Sequence, residues 1–314
     1  LLARVGDVSL LDLAAVEHST EVLEIHLRYL KAGAEVLETA TFAASRPRLE
    51  RHHAGDQVER VNSQAVKLAR EAREIAGVDC LIAGSIGPLA GVIDLDEPGG
   101  AGLIAAAHAE QAAILAGRGA DLLMLETFFR VDELELAVRA VREVTDLPLV
   151  GLLTFALERP PFPYDDHAEE LARAAELPLL AVGVNCSPGP MGALEVVRLM
   201  PAVGPILAAM PNAGVLQRRN DRFLMPPATP AYLAQFARQA VALGVGLVGG
   251  CCGTGPEHIT AMAEAVRGLA PARRGTGTVV VEAPRPSEPA AARPQSSLAH
   301  KLAAGDFVRL VQLD

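Results

Sequence analysis

Seven short runs rich in Val, Ile and Leu, at residues 36–42, 80–86, 121–128, 147–155, 180–186, 205–211 and 245–251, set the strongest limit on how this chain folds. They lack the regular apolar–polar alternation of a strand with one wet face, so each must be covered on both sides. Helix-periodic stretches such as 103–118 and 131–144 lie between them, and that is βαβ alternation around buried parallel strands. The pattern predicts an α/β protein with the architecture of a (β/α)8 TIM barrel, one strand short. A doubly wound sheet is the alternative, but no glycine-rich phosphate fingerprint follows an early strand. Leu10 to Ala32 reads as a helix, through Val22, Leu23, Ile25 and Leu30, that would need a strand before it. The first strand is therefore expected to be missing from the sequence ahead of Leu1.

With 314 residues, half of them hydrophobic, the chain can fill one large core. Residues 1–270 are expected to form the barrel and 271–297 a Pro/Ala-rich linker of the extended, semi-rigid kind. Residues 298–314 read as the start of a second domain. A net charge of -10 with no Trp and three Tyr argues against nucleic acid, which needs Lys/Arg clusters and stacking surfaces. No apolar run reaches the length of a membrane span, and no signal peptide is visible. Four cysteines are too sparse for a disulfide scaffold, and cytoplasm is the natural compartment.

Three of those cysteines stand at the ends of two apolar runs: Cys186 in Gly183-Val184-Asn185-Cys186, and the adjacent pair in Gly249-Gly250-Cys251-Cys252-Gly253. Neighbouring residues on a regular strand point to opposite faces, so both thiols can face one ion only where the strand ends or bulges, and the flanking glycines permit that. Barrel enzymes carry their chemistry at the carboxyl ends of strands. Three thiolates converging there suit tetrahedral zinc with one exchangeable position. Such a site keeps the metal weakly Lewis acidic and bound sulfur electron-rich, which favours thiol activation over water activation. A vicinal Cys251–Cys252 disulfide would be strained and would leave Cys186 unexplained. Cys80 reads as a small buried hydrophobe.

Other strand ends offer Thr39-Ala40-Thr41, Ser85, Glu126-Thr127 and Asn212. Glu126 closes the doubly buried run Leu122-Leu123-Met124-Leu125. Its carboxylate is either paired with a cation or faces a pocket to receive one, such as an amino-acid ammonium, although a solvent-reaching strand end satisfies the same pattern. Gly253-Thr254-Gly255-Pro256-Glu257-His258 reads as a loop feeding a helix, with N–H groups that could hold a carboxylate.

Val36-Leu37-Glu38-Thr39-Ala40-Thr41-Phe42, Ala83-Gly84-Ser85-Ile86-Gly87-Pro88, Leu125-Glu126-Thr127-Phe128, Asn185-Cys186, Met210-Pro211-Asn212-Ala213-Gly214 and Gly249 to Thr254 together resemble the homocysteine S-methyltransferase family. The resemblance covers residues 10–270. It implies a (β/α)8 barrel that holds zinc through Cys186, Cys251 and Cys252, and homocysteine as the activated thiol. It further implies Glu126 as the holder of the homocysteine amino group and Asn212 as a fourth zinc ligand in the absence of substrate. Thr41, among the polar strand ends, is expected to be a second substrate-binding residue. The family's first-strand Asp-Gly motif would precede Leu1. Ala40 and Ala43-Ala44-Ser45 replace the family's Asn and its Gly and Asn. The linker and residues 298–314 resemble the entry into a methylenetetrahydrofolate reductase domain, as in bacterial fusions of the two enzymes.

The expected function is therefore zinc-dependent methyl transfer to homocysteine, giving methionine, with S-adenosylmethionine, S-methylmethionine, methylcobalamin or methyltetrahydrofolate as donor. No corrinoid-binding motif is present. The alternatives are a barrel with a structural zinc, or a zinc Lewis-acid lyase or hydrolase, for which His and carboxylate ligands are the usual set.

Overall fold

Each of the seven apolar runs contains a strand. The computed structural model describes residues 11–155, 167–186, 189–201, 204–214, 217–219, 222–224 and 228–273. In chain order the strands are β1 (Val36–Glu38), β2 (Leu81–Ile86), β3 (Leu122–Phe128), β4 (Leu149–Leu153), β5 (Ala181–Cys186), β6 (Ile206–Pro211), the hairpin strands β7 (Gln217–Arg219) and β8 (Arg222–Leu224), and β9 (Val245–Val248). All but the hairpin join one parallel sheet in the order β1-β2-β3-β4-β5-β6-β9. Sequential parallel order with helices in the crossovers is the winding of a TIM barrel. Val36, Ser85, Met124, Cys186, Met210 and Leu247, from six of these strands, line one cavity of about 1320 Å3, so the sheet curls around it as a part-barrel. The expected first strand, most of the 271–297 linker and the expected second domain over 298–314 fall outside the described residues.

Both faces of the sheet are buried, which explains the missing alternation. Leu123, Leu125, Val182, Val184, Leu207 and Ala209 face outward against Leu115, Leu134, Val138 and Phe236 of the surrounding helices. Leu122, Met124, Val150, Leu152, Ala181, Ala208 and Met210 form the inner layer. Full burial of each large side chain contributes about 1.5–3 kcal/mol, so the two layers together can sustain the fold without a metal. Cys80 lies buried among Leu30, Leu37 and Ile82, as a small hydrophobe would.

Local signals set the helix ends. Helix Val58–Ala76 stops at Gly77, whose φ of 63° returns its N–H to the Arg73 carbonyl, the left-handed C-terminal cap that favours glycine. Helix Pro256–Val266 starts with proline in its first turn, where a missing N–H costs nothing. The single helix expected over Leu10 to Ala32 is interrupted: Ala14–Glu17 and Ser19–Lys31 meet at His18, whose φ of -132° and ψ of 44° lie outside the helical region.

Candidate metal centre and substrate cavity

β5, β6 and β9 are neighbours, and their carboxyl ends are stitched together. The Asn212 N–H donates to the Cys186 carbonyl at 3.1 Å, the Cys251 N–H to the Pro211 carbonyl at 2.9 Å, and the Ala213 N–H to the Cys252 carbonyl at 2.9 Å. The cysteines therefore flank the end of β6 on both sides. β9 ends at Val248, so Cys251 and Cys252 lie beyond the regular strand and escape its alternation. Gly250 lets this segment fold against Thr254, because a Cβ there would come within 2.4 Å of the Thr254 hydroxyl. Gly253 takes a φ of 78° just after the pair. On β5, Cys186 itself has φ 62°, a left-handed backbone that costs a non-glycine residue about 1–2 kcal/mol.

The three Sγ atoms all lie within 4.8 Å of one another, and the Cys251 and Cys252 sulfurs are 4.0 Å apart. All three side chains are free thiols that reach the central cavity. Hydrogen bonds from Cys186 and Cys251 hold Cys252 down to about 3, whereas bonding to Cys186 and Cys252 pushes Cys251 well above the usual thiol range. One thiolate thus forms readily, and further ionisation beside it needs a compensating cation. Asn212 is buried next to them, donates toward the Cys186 sulfur, and has an Oδ1 without a hydrogen-bond partner among the described residues. Three thiols and one unpartnered amide oxygen form a donor set that fits a tetrahedral thiophilic metal.

Glu126 projects from β3 into the same cavity. Its Oε1 accepts from the Ser85 hydroxyl at 2.5 Å and its Oε2 from the Asn185 amide at 2.9 Å. Glu38, on β1, also faces the cavity, two residues beyond the inner-layer Val36 and so on the same face. Desolvation first, and then the Glu126 charge, push its carboxyl well above the ordinary value. The cavity thus presents two carboxyl groups, from β1 and β3, besides the thiols at the end of β5 and beyond β9.

Thr41 lines the cavity, but its hydroxyl donates to the Ser85 carbonyl at 2.7 Å and lies 2.7 Å from that of Thr39. It braces β2. The loop after Cys252 spends donors that the sequence left open: the Thr254 N–H bonds the Cys251 carbonyl and the Gly255 N–H the His258 ring. Sequence reasoning missed Glu38 as a cavity residue. Its signal was parity, because inward Val36 requires inward Glu38. The roles of Ser85 and Asn185 had no local signal, since each reaches Glu126 from another strand.

Residues 6–266 match the profile of the family described as Homocysteine S-methyltransferase. The chain belongs to that family. It is 31% identical over 288 residues to the S-methylmethionine–homocysteine S-methyltransferase BHMT2 of Pongo abelii, covering 83% of this chain and 72% of the relative. It is 29% identical over 285 residues to betaine–homocysteine S-methyltransferase 1 of Bos taurus, covering 83% and 67%. Among solved structures, the homocysteine methyltransferase MmuM of Escherichia coli in its oxidized form superposes with a TM-score of 0.65 at 25% identity, over 82% of this chain and 88% of that one. Its metallated form gives 0.63 at 25% identity, over 80% and 86%. That enzyme thus has a metallated form, and this homocysteine S-methyltransferase presents a cysteine cluster able to bind a metal ion. No helix among its described residues is long and apolar enough to cross a membrane.

Proposed function

We propose that this homocysteine S-methyltransferase binds zinc through Cys186, Cys251 and Cys252, with Asn212 as the ligand that homocysteine displaces, and forms methionine. The observation that carries this is the opening of the three sulfurs and of Glu126 onto one cavity. When bound, zinc would hold the substrate sulfur as a thiolate, ready to attack an electrophilic methyl group. A catalytic zinc keeps an exchangeable fourth position that substrate must reach, and Cys252 is exposed with Cys186 and Cys251 partly so.

The protein's own groups supply orientation. Glu126 receives the substrate ammonium, its two oxygens fixed by Ser85 and Asn185. Met124 and Met210 line the cavity with apolar surface, which limits water around the reacting sulfur. Thr41 forms part of the wall. The transfer makes the sulfur–methyl bond and breaks the bond between that methyl and the donor, while the thiol proton has already gone to solvent.

The first donors to assay are S-adenosylmethionine, S-methylmethionine, methylcobalamin and methyltetrahydrofolate. The curated relatives are named for S-methylmethionine and betaine; the first supports a sulfonium donor, and betaine joins the set to be assayed. The cytoplasm, where thiols stay reduced, suits four free cysteines. Continuation of residues 298–314 into a methylenetetrahydrofolate reductase domain is part of the proposal and rests on sequence resemblance alone. Methionine formation from homocysteine, assayed with each donor alongside elemental analysis, tests the function. We expect about one zinc per chain and turnover with one donor; turnover with none would refute it.

A further inference from the structure

We propose that Asn185 is a positioning residue that fixes the carboxylate of Glu126 relative to the thiol of Cys186, and so sets the spacing between the amino and sulfur anchors of the substrate. The inference rests on homocysteine being that substrate. Asn185 is buried, with 1% of its surface exposed, and sits on β5 immediately before Cys186. Its side chain spans the cavity-facing ends of two strands that are not adjacent, since β4 lies between β3 and β5. The amide Nδ2 donates to the Glu126 Oε2 at 2.9 Å and to the Thr127 hydroxyl at 2.9 Å. The Oδ1 accepts from the Thr127 N–H at 3.0 Å. All of its hydrogen-bonding groups in this network therefore converge on the dipeptide that carries the ammonium-binding carboxylate.

The backbone explains why such a clamp is needed. Thr127 has φ 65° and Cys186 φ 62°. A left-handed conformation is unusual for any side chain and is a true outlier for a β-branched one. Each follows an inward-facing polar residue at a strand end, Glu126 and Asn185, and each turns the chain out of regular strand geometry. Asn185 holds the first turn through the Thr127 N–H and is bonded covalently to the second. A carboxylate on a strained strand end can rotate away from its productive position. The Ser85 hydroxyl holds one of its oxygens at 2.5 Å and the Asn185 amide holds the other at 2.9 Å.

A variant lacking the amide could fail because Thr127 no longer tolerates its backbone, so the test removes that strain separately. In Asn185→Ala/Thr127→Gly, glycine adopts φ 65° without support, and Thr127→Gly alone is the control. Full-length proteins are compared for zinc stoichiometry, thermal unfolding, and steady-state kinetics with homocysteine and with an analogue lacking its amino group. The positioning role predicts that the double variant keeps its zinc and its fold, while its KM for homocysteine rises about tenfold or more over the control. That is the effect of loosening one charge-assisted hydrogen bond. The KM for the analogue should stay level, because the amide acts through the ammonium site. An unchanged homocysteine KM in the folded double variant would overturn the assignment, as would a parallel rise for both thiols. Loss of zinc would overturn it too, by making the amide a brace for the Cys186 end alone. Absence of methionine formation by the unsubstituted protein would instead refute the substrate reading, and the assignment with it.

Discussion

Replacing Glu126 with Gln removes one charge from the cavity while keeping the shape of the side chain. The carboxylate accepts from the Ser85 hydroxyl at 2.5 Å and from the Asn185 amide at 2.9 Å. A glutamine can keep its carbonyl toward Asn185 and turn its NH2 toward Ser85, whose hydroxyl oxygen accepts. These two hydrogen bonds thus survive, and the loss is the charge proposed to pair with the substrate ammonium. A hydrogen bond to a charged group contributes about 1.5–3 kcal/mol, equivalent to a rise of about ten- to a hundredfold in the homocysteine KM. The ammonium is held equally in ground and transition states, so kcat should change little. Steady-state assays with Glu126→Gln, zinc content measured on the same samples, test this. The same substitution should leave the KM of a homocysteine analogue lacking the amino group unchanged. Equal KM values for variant and parent, at equal zinc content, would remove Glu126 from the ammonium site, and so would an equal KM increase for both thiols.

Cys251→Ala should abolish zinc retention and methyl transfer yet keep the circular dichroism of the parent, because the two core layers sustain the fold; wholesale unfolding would favour a structural metal. Glu38→Gln should stabilise the substrate-free protein increasingly as pH rises. The folded carboxyl titrates well above its ordinary value of 4.5, so the parent's stability is full below that pH and is lost upward from it. Thermal unfolding at mildly acidic and mildly alkaline pH reads the difference, and a constant gap would contradict it. His108, with none of its surface exposed, is held by burial, and secondarily by Arg48, down to about 4 from 6.5. It stays neutral in the fold, so stability present above about pH 6.5 falls as pH drops toward 4, by up to about 3 kcal/mol. His108→Phe should unfold less readily in acid than the parent, and equal acid sensitivity would count against this origin.

The barrel-like sheet was legible because its strands are buried on both faces: Leu122 and Leu123 point to different layers, and both must be apolar. The thiol cluster was legible because two of its members are adjacent in sequence and glycines bracket them. What escaped is long-range. Asn185 and Glu126 are 59 positions apart, and nothing in either segment announces a hydrogen bond across the intervening β4. Glu38 was open to a parity argument, but its proximity to Glu126 depends on how the sheet curls. Hydroxyl commitments are equally invisible: Thr41 reads as a polar strand end, and packing against the Ser85 carbonyl decides that its hydroxyl braces the sheet. The interruption at His18 had no sequence signal, because the apolar periodicity continues through it.

The most direct test of the central claim is zinc K-edge X-ray absorption on the metal-loaded protein before and after addition of homocysteine. The account predicts three sulfur neighbours and one lighter atom in the free protein, and four sulfurs once homocysteine is bound. A ligand shell that homocysteine leaves unchanged would contradict thiol activation at Cys186, Cys251 and Cys252.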